Sequence, residues 1–385
     1  MNFERKRVTN LKSSIRSSLP RVLAISVISI LLLCAIIVPF ACGGDEEEPP
    51  EEDPIEEPLE PEPEEEEEEE EGPAEGEGVN PLTGLYAPED LLARRILGVV
   101  IDNSPRARPH LGLTEADVII EMLVEGGATR FLALYLQNDP EVVGPVRSAR
   151  HYFLNLLESM DALLVHCGGS PQAYQTIRDG GLKTLDDLRG GGQFFRQPSP
   201  GVPYEHTLFT RMPENREQVI SRELGRDEPP AAPWAFAGRV DRPGISGQSG
   251  QEMTEFRVKF PPGYDTYSTS YVYDDDADVY LRTMGGEPHA DRESGEELSF
   301  SNIVILWART NRIPGDTEGR LNIDLKGSGD ALIVTGGKGY SGFWSAEDGF
   351  SLSGPRDREV RLTPGKTWIA IIPEDTAIEV EGLQP

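Results

Sequence analysis

The chain has 385 residues, enough for two domains at about 150 residues each. Its net charge is −31, with 36 basic and 67 acidic residues, and the charge is unevenly spread. Residues 1–21 carry +5, residues 45–79 carry −21, and the remaining 30 basic and 45 acidic residues leave −15 on 80–385. No basic face of the kind that binds nucleic acid is indicated. The three cysteines are Cys34, Cys42 and Cys167; only Cys167 falls in the globular part, which excludes a disulfide framework or a zinc finger there.

Arg5, Lys6, Arg7, Lys12, Arg16 and Arg21 precede an apolar run of 17 residues, Val22 to Val38. That length sits at the lower bound for a spanning helix and exceeds an ordinary signal-peptide core. The basic flank keeps the N-terminus cytoplasmic. The run is followed by Pro39-Phe40-Ala41-Cys42-Gly43-Gly44. A small residue, then Cys, then glycines resembles a bacterial lipoprotein processing site, which predicts a signal peptide over 1–42 and lipidation at Cys42. An uncleaved signal anchor is the alternative. Both attach the protein to the outer face of the cytoplasmic membrane. Residues 43–79 are almost wholly Glu, Pro and Gly, with eight consecutive glutamates at Glu64–Glu71. Such a tract buries too little apolar area to offset chain entropy, so it is expected to be a disordered, extended spacer.

From Asn80 the composition becomes globular. Ile96–Ile101, Val118–Ile120, Phe131–Leu136 and Ala162–His166 read as buried strands, and Tyr152–Met160 and Gln172–Arg178 as helices. This predicts a mixed α/β domain over 80–225. Pro229–Pro233 and Gly244–Gly250 mark a boundary. Strand signals dominate beyond it, predicting an antiparallel β-rich domain over 226–385, of sandwich or barrel type. The fold class is therefore α+β. Asp274–Asp278, between two strand signals, reads as a polar hairpin turn, and the aromatic residues of this half as core.

Several residues carry possible chemistry. Arg147-Ser148-Ala149-Arg150 follows a Gly-Pro turn and precedes a helix; two guanidinium forks beside free helix N–H groups suit a phosphate or carboxylate, with Arg130 converging. The competing reading is that these arginines pair with Asp117, Glu121 or Glu125 inside the fold. Asp102, Asp117, Glu121 and Glu125 offer oxygen ligands that could hold Mg²⁺ or Ca²⁺, or could cap turns and pair with Arg106, Arg108 and Arg130. No cofactor is otherwise indicated. His166-Cys167 invites a nucleophile reading, but adjacent strand residues face opposite ways, so Cys167 reads as a small buried residue. His206 is a possible acid–base group for which the sequence shows no partner.

The strings VVIDNSPRARPHLGLTEADVIIEMLVEGGATRFLALY, VGPVRSAR and HCGGSPQAY, with the closing LTPGKTWIAIIP, resemble the YerB-type lipoprotein family of Gram-positive and related bacteria over about Asn80 to the C-terminus. The resemblance implies an anchored extracytoplasmic protein of two domains and no particular activity. The order of acidic and arginine strings also resembles the LytR-CpsA-Psr phosphotransferases, with Asp102, Asp117, Arg147 and Arg150 in similar parts. Two functions follow as expectations. The first is a membrane-anchored binding or scaffold protein for an anionic envelope ligand or a protein partner, with Asp102, Glu121, Glu125, Arg130, Arg147, Ser148 and Arg150 as binding residues. The second is an envelope phosphotransferase acting on a polyprenyl-phosphate-linked substrate.

Overall fold

The computed structural model describes residues 72–380, apart from 191, 227, 239–240 and 261–264. The apolar run Val22–Val38, Cys42 and most of the acidic tract lie outside the described residues. Among the described residues no helix is long and apolar enough to cross a membrane. The acidic tract, expected to be a spacer as far as Val79, gives way earlier: Glu77–Val79 pairs antiparallel with Tyr86–Pro88. The turn between them supplies the reason. Asn80 Oδ1 accepts from the Leu82 N–H, and Asn80 Nδ2 donates to buried Asp117, so the entry of the chain is pinned.

The first half contributes β1 (Leu97–Asp102), β2 (Val118–Leu123), β3 (Thr129–Tyr135), α1 (His151–Ser159), β4 (Leu163–His166), α2 (Pro171–Asp179), β5 (Thr184–Asp186), β6 (Phe194–Arg196), β7 (Leu208–Thr210) and α3 (Met212–Ser221). β1, β2 and β3 are buried along their whole length, which explains their unbroken runs of branched side chains. Ser170 caps α2 by accepting from the Ala173 N–H, and Pro171 occupies its first turn.

The second half contributes β8 (Glu255–Val258), β9 (Thr269–Asp274), β10 (Val279–Met284), β11 (Asn302–Ala308), β12 (Ser328–Thr335), β13 (Lys338–Ser345), β14 (Ser351–Gly354), β15 (Arg358–Leu362), β16 (Thr367–Pro373) and β17 (Ile378–Val380). Its strands go to two places. β17, β8, β9 and β10 form an antiparallel sheet in that order, extended beyond β10 by Glu287–Pro288. The others continue the sheet of the first half, in the order β15-β14-β13-β12-β11-β16-β2-β3-β1-β4-β5. The join is β16 against β2, parallel, from Thr367 opposite Val118 to Ile371 opposite Met122. β16 is also parallel to β11, so this half is mainly, not wholly, antiparallel. One sheet therefore runs through both halves of the sequence.

The pleat sorts the functional residues. Arg130 stands opposite both Asp102 and Met122 in register, whereas Phe131 stands opposite Ile101 and Glu121. Successive residues face opposite sides, so Asp102 and Arg130 share one face and Glu121 lies on the other. α1 packs on the Asp102 face: Gly98 lies on it, and a Cβ there would come within 2.9 Å of Leu157. The antiparallel sheet, which Ser299–Phe300 joins beside β10 as its sixth strand, covers the opposite face, where Arg282 of β10 meets Glu121.

Candidate functional site

The parallel strands β1 and β4 pair only from Leu97 with Leu163 to Val99 with Val165. Beyond that they diverge, and residues 147–149 wedge between them. The Arg147 N–H donates to the Val100 carbonyl, the Cys167 N–H to the Arg147 carbonyl, and the Ala149 N–H to the Gly168 carbonyl. Gly168 makes this possible with a φ of +70°, a conformation that favours glycine. The opening lies at the carboxyl ends of two parallel strands, the usual place for a ligand crevice in α/β sheets. The next wall comes from β7, which pairs with β6; the Val146 N–H donates to the Leu208 carbonyl, and the turn before β7 delivers His206.

Asp102 is the centre of this corner and is only 2% exposed. Its Oδ2 lies 2.5 Å from His206 Nδ1 and 3.2 Å from Arg147 Nε. Its Oδ1 accepts from the N–H and the hydroxyl of Ser104. Burial works to raise the Asp102 carboxyl, but Arg147, both Ser104 hydrogen bonds and His206 outweigh it and hold the group below its ordinary range. Asp102 is thus an anion and accepts from His206, which leaves His206 Nε2 without a partner among the described residues. The partner that the sequence did not show for His206 is Asp102, 104 residues earlier.

The arginines divide. Arg150 is consumed: it grips Glu125 through Nε–Oε1 at 2.6 Å and Nη2–Oε2 at 2.7 Å. This two-pronged pair is the internal reading considered for these arginines, and it removes Arg150 and Glu125 from the set free to bind a ligand. Arg147 shares Asp102 with His206 and donates to the Glu205 carbonyl at 3.0 Å. Arg130 is 8% exposed, donates to the Ser148 carbonyl at 2.7 Å, and has no carboxylate within 4 Å among the described residues. Burial first, then the charges of Arg150 and Arg147, press its pKa down to about 9. Three guanidinium groups face two carboxylates, leaving one positive charge in excess. Ser148 enters through its carbonyl, which Arg130 and Arg150 share.

The carboxylates grouped by the sequence as possible ligands for Mg²⁺ or Ca²⁺ are not brought together. Glu121, fully buried on the other face, bonds Arg282 Nη2 at 2.8 Å and the Thr129 hydroxyl at 2.7 Å. Asp117 accepts from Asn80 and from the Leu136 N–H; burial pushes it up to about 6. Among the described residues no three His, Cys, Asp or Glu side chains converge as a metal set. Cys167 is half-buried beside Asp187, and desolvation followed by that carboxylate raises its thiol to about 11, the opposite of an activated nucleophile. His166 bonds the Gly168 carbonyl and Thr184.

A second polar assembly was invisible in the sequence. Arg282 is 0% exposed and lies 3.9 Å from the Trp368 ring centroid. Besides Glu121 it donates to His289 Nδ1 at 2.5 Å. An arginine only donates, so His289 carries its proton on Nε2 and donates to His110 Nδ1 at 3.1 Å. His110 Nε2 then donates to the Asp102 carbonyl at 2.8 Å. Burial lowers both imidazoles, His110 to about 4, which agrees with this neutral relay. The signal available was a single charge in each of two apolar strands: Glu121 in VIIEML and Arg282 on the inward face of VYLRTM. Each sign calls for the other.

A cleft of about 890 Å³ lies elsewhere, between α1, α2 and the 309–326 region, and contains none of the site residues expected from the sequence.

Residues 82–224 match the family model described as "Protein of unknown function (DUF3048) N-terminal domain", and residues 257–369 match the corresponding C-terminal domain. The chain is 33% identical over 306 residues to "Putative lipoprotein YerB" of Bacillus subtilis (strain 168), covering 78% of this chain and 88% of that protein. It is also similar to the crystal structure of YerB from Bacillus subtilis, with a TM-score of 0.67 and 32% identity, covering 78% of this chain and 98% of that one.

Proposed function

The chain belongs to the DUF3048 family, and on that premise we propose that it is a membrane-anchored envelope protein whose Asp102 corner binds an anionic group. The observation that carries the binding half is Arg130. A guanidinium this buried, with donors to spare and no carboxylate partner among the described residues, leaves positive charge uncompensated beside Arg147. Guanidinium forks match phosphate or carboxylate oxygens, and the carboxyl ends of β1 and β4 supply the crevice. The anchor rests on the basic flank, the apolar run and Cys42, together with the lipoprotein name of the relative. On this reading the folded part lies on the outer face of the cytoplasmic membrane, held through a lipid on Cys42.

Titration of the full-length protein in detergent with inorganic phosphate and pyrophosphate, read by calorimetry, tests the site. Binding should weaken at least tenfold in Arg130→Met and in Arg147→Ala; unchanged binding in both variants sinks the proposal. Radiolabelled fatty acid should enter the wild type and not Cys42→Ser, whose material should leave the membrane fraction if processing still occurs.

The Asp102–His206 pair is the one observation on the side of an envelope phosphotransferase. An imidazole held at Nδ1 by a buried carboxylate presents Nε2 as a base. That reading also calls on Arg150, which Glu125 already holds. Turnover of a polyprenyl-phosphate-linked substrate, abolished in His206→Gln, would favour it over binding alone.

A further inference from the structure

The cleft between α1, α2 and the 309–326 region has a composition of its own. The side chains of Asn155, Gln172, Gln175, Asn311, Arg309 and Arg312 line it, and none makes a hydrogen bond or ion pair with another described residue. Gln172 Oε1 is moreover buried without any hydrogen-bond donor. A buried acceptor left unmade is costly, and native proteins seldom tolerate it outside functional places. Its walls are braced across the gap, since His151 at the start of α1 bonds Asn322 Oδ1 at 2.8 Å.

We propose that this cleft is a second binding site, taking an extended peptide that carries a carboxylate. Four free side-chain amides, from both walls, each offer a donor and an acceptor together. A peptide backbone presents that same pair repeatedly along its length. Arg309 and Arg312 have no carboxylate within ion-pair distance among the described residues; Glu158, 4.0 Å from Lys326, and Asp179 also line the cleft, so Arg309, Arg312 and Lys326 leave one positive charge in excess for an acidic side chain or a C-terminus. Leu182, Ile313 and Pro314 give a small apolar patch for one aliphatic side chain. Among the described residues no Phe, Tyr or Trp lines the cleft to give a flat platform for a sugar ring. Its volume falls in the range of about 300–1,000 Å³ usual for ligand sites.

The test is fluorescence anisotropy on the full-length protein in detergent. The probes are a fluorescein-labelled peptide of alternating Ala and Glu, its Gln and Lys counterparts, and a labelled hyaluronan tetrasaccharide as the acidic glycan. The Glu peptide should bind at least tenfold tighter than the Gln peptide, and the Lys peptide and the glycan should not bind. Arg309→Ala with Arg312→Ala should erase the preference for Glu. Gln172→Ala should weaken the Glu peptide at least threefold with no fall in melting temperature, because its buried oxygen has no partner to lose. Arg147→Ala should leave peptide binding unchanged, which separates this site from the Asp102 corner. Absence of peptide binding, binding indifferent to the Arg309/Arg312 and Gln172 variants, loss in Arg147→Ala, or binding of the glycan alone each overturns the proposal.

Discussion

Two polar assemblies lie on opposite faces of one sheet and are built from the same residue types. On one face Glu121 and Arg282 are both fully buried, and every carboxylate oxygen and both imidazoles of the relay have partners. On the other, Asp102 serves Arg147, His206 and Ser104 together, while Arg130 keeps its charge uncompensated. The first assembly joins strands from the two halves of the sequence. The second has an imidazole nitrogen and a guanidinium left over. The first network, closed but for the Arg282 Nε–H and balanced in charge, holds the structure together, whereas one with charge left over can meet a ligand, and that difference does not lie in composition.

The largest effect expected from breaking this comparison is at Arg282. Arg282→Met strands Glu121 in an apolar layer and should cost about 3–5 kcal/mol in chemical denaturation. Adding Glu121→Leu should recover most of that loss; if the single variant is as stable as the wild type, the network is not structural. Acid comes next. His110 has a folded pKa of about 4 against an ordinary 6.5, so the unfolded chain binds the proton first. Its contribution is complete above pH 6.5 and is lost as pH falls toward 4, by about 3 kcal/mol at 1.36 kcal/mol per unit. Asp117, raised to about 6, acts in the opposite sense over the same window, so the His110→Gln difference from wild type isolates the histidine. The stability deficit of His110→Gln relative to wild type should shrink by about 3 kcal/mol as pH falls from 6.5 toward 4.

Glu125→Gln is intermediate. It breaks a two-pronged, partly buried pair and should cost about 1–3 kcal/mol, freeing Arg150 and raising phosphate affinity if the corner takes anions. The smallest stability effect belongs to Arg130→Met. Removing a desolvated cation with no ion-pair partner should change stability by about 1 kcal/mol or less, in either direction, while phosphate binding drops. A loss as large as that of Arg282→Met would put Arg130 in the structural class and erase the contrast.

The long strands and both helices near the site were legible because each has a strong period or an unbroken apolar run. β13 was not, since Lys338–Ser345 interrupts its apolar positions with two glycines and two serines and owes its place to pairing with β12. Arg130, Arg147 and Asp102 were legible as a cluster because strand ends and a Gly-Pro turn bring them near in sequence-readable ways. The pairing of His206 with Asp102 was not, because it depends on how β7 lies against residues 143–146. Placing Glu121 with Asp102 was an error of faces: 19 residues apart on strands that flank β3 on either side, they are separated by the pleat.

By itself the sequence determined the α+β class, the positions of most strands and the family. Those follow from composition, hydrophobic period and long local strings, which do not depend on what packs against what. Only the tertiary structure decided that one sheet runs through both halves, that Arg150 belongs to Glu125, and that Arg282 neutralises Glu121. These are contacts across 25 to 249 residues of chain, and pairing at such range is set by strand order and pleat, which local sequence does not encode.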